Sequence, residues 1–180
     1  MDLLDFTDCK LYFEDPLPPR AANLLSAAAD AYGEPEAELC LLRAHLLAPE
    51  NLTILVGLYR FYFYQHRLED ALQIAERAMH LAARHLGLPP DWRQIDEHSL
   101  AIAAACSFGL LRFYLIAMKA SCVVLLRLRR IGEARQRLER LGTFDTRDQL
   151  GAARLLEVID QFQNPPAVDH DAFNPALAAA

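Results

Sequence analysis

The spacing of apolar residues follows the 3.6-residue period of a helix, and no stretch alternates polar and apolar positions long enough to argue for a strand. Leu, Ala, Arg and Glu dominate and β-branched residues are few, which favours helix further. Prolines divide this pattern at Pro16, Pro18, Pro19, Pro35, Pro49, Pro89, Pro90, Pro165, Pro166 and Pro175. Each removes a helix hydrogen bond and clashes with the preceding turn, so each marks a boundary. The pattern predicts helices over 19–32, 35–47, 52–66, 68–86, 97–129, 131–141 and 147–162, hence an all-α chain. Pro35 suits a first helical turn, Asn51 is a good N-cap, and Thr146 followed by Gln149 has capping-box spacing. The 97–129 segment is long for one globular helix, and Ser107, Phe108 and Gly109 mark where it bends or breaks.

At 180 residues the chain is long enough to bury a core without disulfides or metals. The core is expected within 18–162, between an acidic segment, 1–17, and a Pro- and Ala-rich tail, 163–180. Residues 1–16 carry Asp2, Asp5, Asp8, Glu14 and Asp15 against Lys10, interleaved with Leu3, Leu4, Phe6, Leu11, Tyr12 and Phe13. That composition suits a segment folding back onto the body as a tethered competitor for a basic groove, a cap on the first helices, or, like the 163–180 tail, a loose mobile end.

The net charge of −6 argues against nucleic acid as a partner, because the phosphate backbone rewards an excess of Lys and Arg. Cys9, Cys40, Cys106 and Cys122 form no CxxC pair, and the start has acids where a secretory signal carries positive charge. Both features suggest a reducing cytoplasm. Leu100 to Met118 approaches the length of a membrane span, but mid-span Arg112 costs about 2.5–3.5 kcal/mol on insertion scales. A buried core helix is therefore expected, and no membrane partner.

Self-comparison at a spacing of 34 aligns Ala37 with Ala71, Leu41 with Ala75 and Ala44 with Ala78. Leu58 and Tyr62 precede the second set, whereas Ser121 and Leu125 precede a third set of Ala134, Leu138 and Leu141. This pattern resembles the tetratricopeptide repeat, whose units are antiparallel helix pairs with a small residue early in the second helix. Tyr59 stands where that family usually has glycine, and Leu141 where it has Ala. Ala71 and Ala134 are 63 apart, so about 29 residues are inserted between the second and third units. The resemblance implies an α-solenoid of about three units with an inserted long helix and 147–162 as a C-terminal capping helix.

The chemistry sought elsewhere is thin. The six histidines make no HExxH and no pair at i and i+4, and the glycines never cluster into a phosphate-cradling loop. Cys106 and Cys122 lie in an apolar stretch where cysteine behaves as a small hydrophobe. The expectation is a non-enzyme without metal or cofactor. From Arg127 to Arg140 six arginines face Glu133 and Glu139, which reads as a solvated face or a landing site for an acidic segment. Trp92, in a Pro-flanked loop, reads as a staple over the core rather than a binding hot spot.

In the family resembled, the first helix of each unit lines a concave surface. Here those positions are Thr53, Val56, Arg60, Phe63 and Tyr64, then Ile116, Lys119, Val123, Leu126 and Arg127, with Arg112 one turn before. The candidate partner-binding set is Val56, Arg60, Phe63, Tyr64, Arg112, Lys119, Val123 and Arg127. Aromatics among cations suit a partner peptide or helix with apolar anchors and acidic side chains, and a second copy of the chain is another candidate partner. Members that grip a C-terminal carboxylate use Lys and Asn where this chain has Ala22, Ser26 and Gly57, so that function is not expected. The resemblance implies a scaffold, adaptor or assembly chaperone like small bacterial accessory proteins, among them secretion chaperones and metalloenzyme maturation factors. The rival reading is a small-ligand sensor or enzyme using a pocket between the inserted helix and the second repeat.

Overall fold

A computed structural model of the chain describes residues 16–145 and 147–163. The expectations for the acidic N-terminal segment, the Pro- and Ala-rich tail and the Thr146 cap fall largely outside those residues. Eight α-helices and one 3₁₀ turn make up the described structure, with no strand. They are α1 (Pro19–Asp30), α2 (Pro35–Leu47), α3 (Leu52–Tyr64), α4 (Leu68–Leu86), α5 (Glu97–Cys106), α6 (Phe108–Arg127), α7 (Ile131–Phe144) and α8 (Ala152–Gln163). The 3₁₀ turn spans Trp92–Gln94.

Pro35 stands at the start of α2, and the Asn51 side chain accepts from the Ile54 amide at 3.1 Å to cap α3. The long 97–129 segment divides at Ser107, whose backbone is extended. The Ser107 N–H closes α5 on Ala103, while its Oγ accepts from the Leu110 amide at 3.2 Å and opens α6. At the far end, α8 begins five residues later than the pattern predicts. The Asp145 carboxylate accepts from the amides of Gln149 and Leu150, holding that stretch in a turn. Asp148, at φ 47°, then accepts from the Ala153 amide at 2.9 Å and satisfies the first turn of α8.

α1 packs on α2, α2 on α3, α3 on α4, α6 on α7 and α7 on α8, while α4 skips α5 to pack on α6, with α5 lying against α6. Two features recur along this series. Ala37, Ala71 and Ala134 are fully buried, and the positions four and seven later are buried in all three sets: Leu41 and Ala44, Ala75 and Ala78, Leu138 and Leu141. Small residues at these points let helix backbones approach closely. The connection from α3 to α4 also reappears between α6 and α7, 63 residues on. His66 and Arg129 have φ of 58° and 62°, and the next amides, of Arg67 and Arg130, donate to the Tyr62 and Leu125 carbonyls, each at 2.9 Å. Arg67 pairs with Asp70 at 2.7 Å, as Arg130 does with Glu133 at 2.6 Å. Arg67 also reaches back to Glu38 on α2 at 2.6 Å, and Arg130 to Glu69 on α4 at 3.8 Å.

A left-handed backbone at a non-glycine residue costs roughly 1–2 kcal/mol, part of which glycine recovers before its larger entropy loss on folding. His66→Gly is therefore expected to raise stability by about 0.5–1 kcal/mol, read as a higher urea midpoint at constant slope.

The arginine run is engaged within the fold. Arg137, its side chain 12% exposed, donates to Glu76 on α4 at 2.5 Å and to Ser121 Oγ on α6 at 2.9 Å. Arg135 pairs with Asp160 on α8 at 2.5 Å, and Arg140 donates to the Ile95 carbonyl. These arginines pin α7 to three neighbours, which leaves little of the run to receive an external acidic segment. Trp92 lies half-buried against the core, its ring under Arg93 at 4.3 Å and beside Arg137 at 5.9 Å, as a staple does. Among the described residues α6 alone is long and apolar enough to cross a membrane, with mean hydropathy 1.8 over its apolar stretch. In this fold 61% of that stretch is buried.

Candidate functional site

Small side chains create the depression that the packing leaves open. Ala75 and Ala78 on α4, with Ala117 and Ala120 on α6, form its floor and one wall, and none reaches far enough to fill the space above. Leu55, Val56 and Tyr59 from α3 and Phe113 and Ile116 from α6 complete a small apolar groove of about 30 Å³. Tyr59 supplies the one hydroxyl among these lining residues, and burial raises its pKa well above the ordinary tyrosine value. The groove holds no charged side chain and no converging polar set of the kind that fixes a small polar substrate.

The sequence-derived residues divide around this groove. Val56 lines it directly, next to Ile116 from the wider concave stripe. Val123 is half-buried further along α6 and packs against the α1–α4 side of the core. Phe63 is 1% exposed and belongs to that core, stacked on Tyr59 at 5.7 Å. It meets solvent only through Arg127, whose exposed guanidinium lies over the ring at 4.2 Å. Arg127 thus caps the end of the aromatic ladder. Arg112 is exposed one turn before Ile116 on the same helix.

Arg60 and Tyr64 do not join them. They turn toward the α1–α2 connection, where Tyr64 meets Tyr32 edge-on at 6.5 Å and the Arg60 charge acts on Tyr32. Stepping four residues from Val56 to Arg60 and on to Tyr64 drifts about 80° around a helix, enough to move from one face to the next.

Lys119 is the clearest correction. It is 7% exposed, its ammonium about a van der Waals contact from where a Gly151 side chain would begin. Burial lowers its pKa, and the charges of Asp148 and Asp145 oppose that shift. The turn before α8 therefore covers Lys119, and the residue serves the α6–α8 junction rather than the groove. Sequence reasoning missed Leu55, Tyr59, Phe113 and the four alanines as groove lining. The alanines carried a signal, since small residues three apart on both α4 and α6 leave facing helices without side chains to fill the gap between them.

Among the described residues no group of three His, Cys, Asp or Glu side chains comes together as a metal site would require. Cys122 is buried and its thiol is pushed up to about 12 by that burial, which keeps it protonated and unreactive at neutral pH.

No family model matches the chain. No solved structure matches it. Over 159 residues, 88% of this chain and 89% of the relative, the sequence is 48% identical to a protein of Azotobacter chroococcum mcd 1 described as "Uncharacterized 19.8 kDa protein in nifW 5'region". With that identity across nearly the whole of both chains, this protein belongs to the same family as the 19.8 kDa Azotobacter protein of the nifW 5' region.

Proposed function

We propose that the chain is a protein-interaction module, a scaffold, adaptor or assembly chaperone of the cytoplasm, that takes a partner's helix or peptide into the groove between α3 and α6. The observation that carries the reading is the groove itself: a small apolar trough floored by α4 and walled by α3 and α6, lined by aromatic and aliphatic side chains with no charge among them. An amphipathic segment with apolar anchors fits that arrangement, its anchors seated on the trough and its polar side facing solvent. The apolar lining favours this occupant over a small polar ligand or an enzyme substrate.

The architecture is read as tetratricopeptide-like, with α1/α2, α3/α4 and α6/α7 as three pairs, α5 inserted and α8 closing the C-terminal end. The three sets of buried positions and the turn repeated at a spacing of 63 support that reading. In such a stack α3 and α6 are the first helices of adjacent pairs, and the space between them faces the concave side. The relative's place in the nifW 5' region directs the search for a partner toward nitrogen-fixation proteins.

The test is affinity purification of the tagged protein from cells that express it, followed by mass spectrometry, beside an Ile116→Asp variant. A carboxylate in the trough is expected to cut capture of the specific partner by at least about tenfold, a loss of roughly 1.4 kcal/mol or more. Circular dichroism and melting temperature should stay close to wild type, since Ile116 is only half-buried. Equal capture by the variant would place the partner elsewhere.

A further inference from the structure

Among the described residues, the outward face of α2 carries a run of leucines that the helix packing leaves exposed. Ala37, Leu41 and Ala44 point into the core, whereas Leu39, Leu42 and Leu46 point out, 48%, 40% and 81% exposed. Their 3-then-4 spacing is the seam of a two-helix coiled coil. Leu47, 48% exposed, and Leu24 on α1 extend the patch, with Arg20 and Arg43 at its rim. Single exposed leucines need no explanation, but three in register on one helix, continuous with a mixed pocket against α1 lined by Leu24, Leu46 and Leu47 beside Arg20, Asn23 and Arg43, mark an interface.

We infer that this face pairs with the same face of a second copy of the chain, the two α2 helices running antiparallel about a twofold axis. The charges beside the seam select that occupant. Glu36 and Arg43 lie seven residues, two helical turns, apart on the same flank of the leucine stripe, both exposed and without an ion pair among the described residues. In an antiparallel pair the layer that brings Leu39 against the partner's Leu42 also brings Glu36 beside the partner's Arg43. The twofold repeats the contact with the roles exchanged, so one surface supplies both halves of two ion pairs, as an isologous interface requires.

A parallel pair is not supported in the same way. It would place Arg43 beside the partner's Glu38, five residues earlier. Glu38 is already held by Arg67 at 2.6 Å and by the Tyr62 hydroxyl at 3.2 Å, on the side of α2 that faces the body of the fold. The pairing face is separate from the α3–α6 groove, so neither conclusion depends on the other.

The experiment is sedimentation equilibrium of the full chain from low micromolar to submillimolar concentration, with charge swaps. The wild type is expected to dimerise. Arg43→Glu and Glu36→Arg, each alone, set like charges opposite one another at two places and should each weaken the dimer by about tenfold or more. The double variant Glu36→Arg/Arg43→Glu restores both contacts in reversed order and should return the dissociation constant to within about threefold of wild type. Leu46→Asp should leave a monomer with an unchanged circular dichroism spectrum. A wild-type monomer at every concentration would overturn the inference, assigning the face to residues 1–15 of the same chain or to a different protein. So would a dimer that the double swap fails to restore, because the antiparallel register would then be wrong.

Discussion

Replacing Lys119 by glutamate is expected to lower the unfolding free energy by about 3–5 kcal/mol, the range found when a buried charge loses its compensating partner. The lysine is covered by the turn that precedes α8, beside Gly151, and Asp145 and Asp148 supply the negative charge that keeps its ammonium tolerable there. A carboxylate in its place would face both aspartates, and both are committed: Asp145 to the amides of Gln149 and Leu150, Asp148 to the amide of Ala153. Neither can turn away without releasing the turn, so the expected damage spreads to α8. Lys119→Met separates charge from volume. It keeps most of the packing and removes the desolvation cost, and its expected effect is within about 1 kcal/mol. Urea denaturation of both variants checks the claim, and a glutamate variant as stable as wild type would mean that the ammonium is solvated after all.

That expectation reverses what the sequence suggests. On the helical period Lys119 falls on the concave stripe three residues after Ile116, where a charge would be solvated and its reversal harmless. What the period does not contain is the path of the chain after α7. Residues 147–151 lie over α6, held by short-range hydrogen bonds to Asp145 and Asp148, and that turn converts a surface position into a buried one. The same blindness applies to the arginine run. Its +4 local charge is plain in the sequence, but Glu76 lies 61 residues before Arg137, and Asp160 lies 25 after Arg135. Long-range pairing of that kind leaves no local pattern to find.

The elements themselves were legible for the opposite reason. The prolines, the Asn51 cap and the 3.6-residue periodicity are local signals, and the first four helices begin where those signals place them. Ser107 shows the limit of such signals. A serine in an apolar run marks a candidate break, but it becomes one only because its Oγ and N–H satisfy the two helix ends together. The groove lies between these cases. Val56 and Ile116 were found from the repeat spacing, while Arg60 and Tyr64 were carried to the next face by the drift of four-residue steps around the helix. Tyr59 stands where the repeat pattern has a glycine, so sequence reasoning marked it as a departure rather than as part of the wall.

The packing rule behind the three buried sets has its largest expected consequence at Leu138. This residue is fully buried on α7, four after Ala134, in the core shared with α4, α6 and α8. Leu138→Ala removes three heavy atoms where the neighbours are held from several sides. Arg137 ties α7 to α4 and α6, and Arg135 ties it to α8, so the walls are poorly placed to collapse inward. The expected cost is about 2–5 kcal/mol, toward the upper part for a cavity that stays open. Ala71→Leu tests the rule from the other side. Ala71 is fully buried near the start of α4 in the cluster that the first four helices share with Val124, Leu125 and Ala134, and added volume there should cost about 1–3 kcal/mol by forcing α4 away from its neighbours. The two sites lie on different helices in different core clusters, so their effects should add to within about 0.5 kcal/mol in the double variant. Urea midpoints of the three proteins decide the matter: an unchanged midpoint for Ala71→Leu would show that the small residue is not what sets the approach of the helices, and the repeat spacing would lose its physical basis.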